Sequence, residues 1–319
     1  MGRLSRITGS LAGLVALAAG GAWLALRAPD FPAEQLQARY GRANSHYADL
    51  GGGLVLHYLD SGPVNAPVVI LLHGFGDNAF SWDGWTERLS PRYRVIALDQ
   101  PGHGLSAAPV GFVASPDSMA DAAERFAAKL GLHSVAVAGN SMGGGVAWHL
   151  AVRHPDRVGA LILVDAAGFP NEKPPAKIPL AFKILQYRAG RAFLRNIDNR
   201  PLIDEGLKTD VYDKSVITPA FVDRWAEFQR APGHRAILMA LNPTGFGNAS
   251  AAVLQTIKVP TLVINGEADV LVEPASARKF AAAIPGAKLI LYPNVGHLPQ
   301  VEIPQRSAAD VAEFLQGQH

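Results

Sequence analysis

The sequence contains no cysteine. That excludes a disulfide framework, a thiolate zinc site, a cysteine nucleophile and a lipidated N-terminal cysteine, whereas a chain without thiols tolerates either redox compartment. Charge is scarce as well: 18% of the 319 residues are charged, and 29 basic against 27 acidic side chains leave a formal net charge of +2. So small a balance argues against nucleic acid as the main ligand. The 32 glycines and 23 prolines show no collagen-like period, and 49% hydrophobic residues exclude a disordered chain. The length allows one large domain or two small ones, with a sizeable core.

One long uncharged run is present, residues 7–26, between Arg3 and Arg6 on one side and Arg27 on the other. At about 1.5 Å per residue a helix of this length spans a hydrocarbon core of roughly 30 Å. Trp23 lies near its outer end, where an indole suits an interface. An uncleaved membrane anchor is therefore expected over residues 1–29, with a cleaved signal peptide or a buried helix as alternatives. Arg3 and Arg6 favour an inside N-terminus, which would put the rest of the chain on the periplasmic or extracytoplasmic side; Arg27, Arg39 and Arg42 weaken that bias. Residues 30–44, opening on Pro32 and mixed polar residues, read as a linker.

From residue 45 the chain alternates short β-branched or apolar runs (45–50, 53–59, 68–72, 94–98, 134–138, 160–164, 260–264, 287–292) with helical patterns (80–89, 118–130, 142–153, 274–283, 304–316). This alternation predicts an α/β fold with an eight-stranded, mostly parallel sheet covered by helices on both faces. It breaks between Pro170 and Gly247, where amphipathic patterns at 178–197 and 221–228 follow a proline-rich opening. The expected organisation is a core of residues 45–169 and 248–319, with 170–247 as a helical cap over the sheet's carboxyl edge, where open α/β sheets bind ligands.

Gly139-Asn140-Ser141-Met142-Gly143 lies between an expected strand and an expected helix. A serine in so sharp a turn takes strained backbone angles and needs neighbours almost free of side chain, which Gly139 and Gly143 provide. Its hydroxyl is a poor nucleophile unless a base takes the proton. His297 follows the last expected strand and suits that role; His57, His149, His154, His234 and His319 are less well placed. Asp269, at the end of the strand over 260–264, is the expected carboxylate partner, with Asp165 its rival and Glu267 and Glu273 nearby in sequence. The Phe75 and Met142 amides are expected to form an oxyanion hole, each donor worth about 2.7–4 kcal/mol of barrier. No pair of histidines has metal-ligand spacing with a carboxylate, so neither a metal nor a cofactor is expected.

The order Ser141, Asp269, His297, with HGFG at 73–76, LDQPGHGLS at 98–106, GNSMGG at 139–144 region of the elbow and VGHLPQVEIP at 295–304, resembles the α/β-hydrolase superfamily. The resemblance covers residues 45–316 and implies two-step acyl transfer, with a small-molecule or lipid ester as substrate. Relatives that hydrolyse epoxides or haloalkanes carry Asp at the nucleophile position, whereas position 141 is Ser. The elbow is also similar to that of carbon–carbon bond hydrolases of ring-cleavage products, which usually have a longer glycine- and proline-rich oxyanion loop than residues 74–78. An anchored, capped serine hydrolase further resembles membrane-bound monoacylglycerol lipases. A catalytically inert binding module of the same fold is the remote alternative. Lys173, Lys177, Lys183, Arg188, Arg191 and Arg195 form a basic face in the cap, read as solvated or as facing anionic headgroups. Phe182, Phe193, Phe221, Trp225 and Phe228 serve either an acyl pocket or core packing. Oligomeric state is not legible.

Overall fold

Eight strands carry the structure, a computed structural model that describes residues 13, 17, 20, 21, 24–172, 178–241 and 246–317. They are β1 (Ser45–Asp49), β2 (Val55–Ser61), β3 (Val68–Leu72), β4 (Arg94–Leu98), β5 (Val135–Asn140), β6 (Val158–Val164), β7 (Thr261–Gly266) and β8 (Lys288–Tyr292). They form one sheet in the order β1-β2-β4-β3-β5-β6-β7-β8. The β1–β2 and β2–β4 pairs are antiparallel and every other pair is parallel, as the alternation of runs and helices predicts.

The two-residue period of the strands divides the core. Ile70 and Leu72 of β3 and Ile96 and Leu98 of β4 pack against helices Pro116–Lys129 and Met142–Arg153 on one face. Val69, Leu71, Val95 and Ala97 face helices Asp83–Leu89 and Pro304–Gln316 on the other. Both faces are covered, which is why β3 reads as an unbroken apolar run rather than an alternating one and why every residue of β7 is buried. The chain leaves β3 towards β4 on one side and returns to β5 on the other, so the order reverses between β3 and β5. Such a switch point opens a crevice at the strands' carboxyl ends. The loop after β3 and the turn after β5 meet there.

Among the described residues six α-helices intervene between β6 and β7: Leu180–Leu185, Arg188–Leu194, Arg200–Asp210, Pro219–Gln229, His234–Ala240 and the short Ala251–Leu254. The pattern expected over 178–197 is split in two, because Gly190 crosses so close to the preceding helix that a Cβ there would lie 2.1 Å from the Ile184 carbonyl oxygen.

The segment entering the domain is fastened to this insert. The Ala28 N–H donates to Asn196 O (3.0 Å), the Asp198 N–H to Leu26 O (3.2 Å) and the Phe31 N–H to Arg230 O (2.8 Å). The Arg235 guanidinium reaches Ala28 O and the Asp30 carboxylate, and Arg39 pairs with Glu227. The stretch 30–44 also contains a helix, Ala33–Tyr40, whose Leu36 is buried.

The expected membrane anchor, and with it a transmembrane helix, a membrane partner and a membrane-anchored, extracytoplasmic location, is not borne out. Among the described residues no helix is long and apolar enough to cross a membrane. The described end of the run, at Leu26, is instead bonded into the helical insert. Most of residues 7–26, including Trp23, lie outside the described residues.

Candidate active site

Ser141 caps the start of helix Met142–Arg153 directly after β5, at φ 54° and ψ −117°. A non-glycine residue at positive φ is strained and persists only where its surroundings fix it. Here the Ser141 N–H donates to Val164 O (2.9 Å), and its carbonyl accepts from Gly145 (3.0 Å) and Ala167 (2.9 Å). The neighbouring glycines are required by contact. A Cβ on Gly139 would lie 2.1 Å from Gly143 O, and one on Gly143 would lie 2.2 Å from Leu72 O and 2.5 Å from His73 O. These obstacles are backbone atoms that cannot rotate away. Gly143→Ala is accordingly expected to destabilise the fold by about 3 kcal/mol, read as a lower urea midpoint at unchanged slope.

His297 stands on the loop after β8 and is held from both sides. Its N–H donates to Asp210 O (2.7 Å), and its carbonyl accepts from Asn140 Nδ2 (3.0 Å). The ring Nδ1 lies 2.7 Å from Asp269 Oδ2, while Asp269 Oδ1 accepts the Leu271 and Val272 N–H groups at 2.7 and 3.0 Å. Burial lowers the His297 pKa, but the Asp269 charge and hydrogen bond, with Asp210 and Glu302 beyond, outweigh it and leave the net shift upward. Asn140, quoted in the elbow motif for its neighbours, thus ties the turn of Ser141 to the histidine loop.

Asp165, the rival acid, is fully buried at the end of β6, with Oδ1 accepting the Gly266 N–H (2.9 Å). Ligand atoms of Asp165, Asp269 and His297 lie within 4.8 Å of one another. Asp269 and His297 already bond each other there, which commits the ligand atoms they would offer a metal. Burial, and then the adjacent Asp269 charge, hold the Asp165 carboxyl well above its ordinary pKa, which favours its neutral form. A neutral amide mimics a neutral acid. Asp165→Asn is therefore expected to change kcat less than about tenfold, against about 10⁴-fold for a triad acid.

The loop after β3 runs beside Ser141: a Cβ on Gly74 would lie 3.3 Å from the Ser141 Cβ. It is braced by His73, whose Nε2 accepts the Gln100 N–H (3.0 Å), which leaves Nδ1–H to donate to Gly74 O (2.8 Å). Burial lowers the His73 pKa, in keeping with that neutral tautomer. Phe75 and Met142, whose amides are the expected oxyanion donors, both lie beside Ser141, and the Met142 N–H belongs to the unsatisfied first turn of its helix.

A second Ser–His–Asp chain exists at the far edge of the sheet. His57 Nδ1 lies 2.7 Å from Asp99 Oδ2, and Nε2 lies 3.0 Å from Ser45 Oγ. Ser45 sits at the start of an edge strand, where its hydroxyl accepts the Arg42 N–H. Asp99 also accepts the Ala79 and Leu105 N–H groups, which makes the pair a loop brace. Strained backbone, helix start and cavity distinguish Ser141 from Ser45.

Two cavities meet at Ser141 and share Phe75, Phe182 and Leu271. One, of about 460 Å³, passes Met142, Phe169 and Phe246. The other, of about 90 Å³, passes His297, Asp77, Asp210 and Trp225. Among the described lining residues neither has a lysine or an arginine. Of the aromatics singled out in the insert, Phe182 and Trp225 line this space, Phe228 is core and Phe193 is exposed. Of the basic face, Lys183, Arg188 and Arg195 are exposed, Arg191 is half-buried, and Lys173 and Lys177 lie outside the described residues. Asp210 carries no local motif, so only the folded chain brings it to His297.

Residues 67–304 match the sequence profile of the alpha/beta hydrolase fold family. A 2-hydroxy-6-oxononadienedioate/2-hydroxy-6-oxononatrienedioate hydrolase of Comamonas testosteroni is 32% identical over 262 residues, 77% of this chain and 86% of its own. The solved structure of a meta-cleavage product hydrolase from Pseudomonas fluorescens IP01 superposes with a TM-score of 0.75 at 25% identity, covering 87% of this chain and 100% of that one. A bacterial membrane phospholipase A, described as a virulence factor, gives a TM-score of 0.74 at 27% identity, covering 98% and 99%.

Proposed function

The chain belongs to the α/β-hydrolase family and is a hydrolase, and from that premise we propose that it cleaves neutral, apolar carboxylic esters through an acyl-enzyme intermediate. Ser141 Oγ attacks the ester carbonyl while His297 takes its proton, and Asp269 fixes the imidazole tautomer and stabilises the imidazolium. The Phe75 and Met142 amides receive the oxyanion. His297 then protonates the departing alcohol, and water activated by the same base releases the acid. The helical insert 170–247 acts as the cap that walls the chamber.

The observation that carries the reading is the lining of the two cavities. It is apolar, and its charged side chains other than His297 are the carboxyl groups of Asp77 and Asp210, with no cation among the described lining residues. A buried substrate carboxylate needs a cationic or hydrogen-bonding partner to repay its lost hydration. The similarity to the phospholipase A supports an acyl-lipid ester among the candidates.

Carbon–carbon bond hydrolysis is the second reading, favoured by relatives named for it. The name of the Comamonas testosteroni relative denotes a dicarboxylate substrate, for which this lining offers no cationic partner among the described residues. Initial rates on p-nitrophenyl esters from acetate to palmitate, beside rates on a ring-cleavage dienoate, separate the two. Faster esters at every comparable concentration support the first reading, and a higher kcat/KM on the dienoate overturns it.

A further inference from the structure

Resting on the ester reading, the two cavities divide the substrate. His297 must hand its proton to the leaving oxygen, so the alcohol lies on the His297 side, in the 90 Å³ arm. The acyl chain then occupies the 460 Å³ arm past Met142 and Phe246.

The alcohol arm is not a plain apolar slot. Asp77 is 99% buried, and its Oδ1 is taken by the Asn78 N–H and the Ser81 hydroxyl, while Oδ2 has no partner. Asp210 Oδ1 and Asn140 Oδ1 are likewise shielded from solvent and unpartnered, as is one donor, Trp225 Nε1–H, and all four residues line this arm with Ser141 and His297. Folded proteins rarely leave buried acceptors unpaired, so acceptors gathered beside a reacting centre mark where a ligand's donors go. Two are carboxyl oxygens, which disfavours an anionic ligand. Burial raises both Asp77 and Asp210 to about 7, so near neutrality each can accept or donate a hydrogen bond.

We propose that this arm is an alcohol subsite for an uncharged, hydroxyl-bearing leaving group such as the glycerol of a monoacylglycerol, with Asp210 as its specificity-determining acceptor and Asp77 and Asn140 beside it. Free hydroxyls of the alcohol donate to these oxygens, and an alkyl alcohol of the same length leaves them unpaired. Discrimination by unpaired buried groups exceeds what apolar fit alone achieves.

The test compares kcat/KM for monodecanoylglycerol and propyl decanoate in the same detergent micelles, using the full chain, with p-nitrophenyl decanoate to count active enzyme. The wild type should prefer the glyceryl ester by at least about tenfold, the size of a hydrogen bond to a charged group. Asp210→Ala should remove about tenfold of that ratio, and Asp210→Asn, which keeps an acceptor oxygen, should retain part of it. Because Asp210 also faces His297, both rates will change in either variant; the ratio isolates the alcohol. A wild-type ratio near one, or the same ratio in Asp210→Ala, overturns the inference and leaves the ester reading standing. If the wild type cleaves neither ester nor the p-nitrophenyl ester, both fall together.

Discussion

Ser141→Ala should lower kcat for ester hydrolysis by about a millionfold, the loss measured when a triad nucleophile is removed. The side chain that goes is one hydroxyl. The Cβ, the backbone strain at φ 54°, the bond to Val164 O and the bonds from the Gly145 and Ala167 N–H groups all remain, so the protein should melt within a degree or two of the wild type. That pairing gives the result its meaning, because a loss of rate without a loss of fold assigns the chemistry to Oγ. Binding should survive as well. A substrate that the alanine variant still holds, measured by equilibrium titration, would show that the chamber is assembled without the nucleophile. Retention of more than about a thousandth of the wild-type kcat, after active-site counting to exclude contaminating enzyme, would remove Ser141 from the mechanism.

The second large effect belongs to Asp269. Its Oδ1 is committed to the Leu271 and Val272 N–H groups, and that constraint persists in Asp269→Asn. The amide oxygen must face those donors, which turns the NH₂ towards His297 Nδ1. Nδ1 then becomes an acceptor, the proton moves to Nε2, and the imidazole can no longer take the serine proton. The expected cost is about 10⁴-fold in kcat. A shift in pH dependence should accompany it. His297 works as a base only when neutral, and in the wild type its pKa lies above the ordinary 6.5. The kcat/KM profile should therefore rise through that elevated pKa and level off at higher pH. Without the Asp269 charge, burial dominates and the rising limb moves to lower pH. Should Asp269→Asn keep the wild-type profile while Asp165→Asn suffers the large loss, the acid at the end of β6 takes over the role.

The strands were legible because a fully covered parallel sheet writes itself as short apolar runs, and Val68–Leu72 and Arg94–Leu98 have the bounds their runs suggest. Their ends were less so. The expected strand 134–138 extends to Asn140, since the residues feeding the elbow continue to pair with β6 although glycine and asparagine are poor strand formers. The expected helix 80–89 begins as a 3-10 turn over Ala79–Trp82, where Asn78 caps the Phe80 N–H. Within the site, Ser141, Asp269 and His297 carry local signals: glycines around a serine, or a polar residue just past a strand. Asp210 and the side-chain role of Asn140 carry none. Asp210 closes an ordinary amphipathic helix, and what makes it notable, a carboxyl oxygen cut off from water beside an imidazole, arises only when that helix docks. The membrane reading failed differently. Twenty uncharged residues satisfy a length rule, but length alone does not register that Leu26 and Ala28 exchange backbone hydrogen bonds with the insert.

Those hydrogen bonds make the chain enter its own domain through the roof. Residues 26–31 grip the insert through Asn196, Asp198 and Arg230, and Arg235 clasps Ala28 and Asp30 from below. A load on the chain upstream of residue 26 is therefore delivered to the helices that wall the substrate chamber, not to the sheet that holds Ser141. Swinging the roof outward means either dragging residues 26–31 along or breaking their bonds one by one.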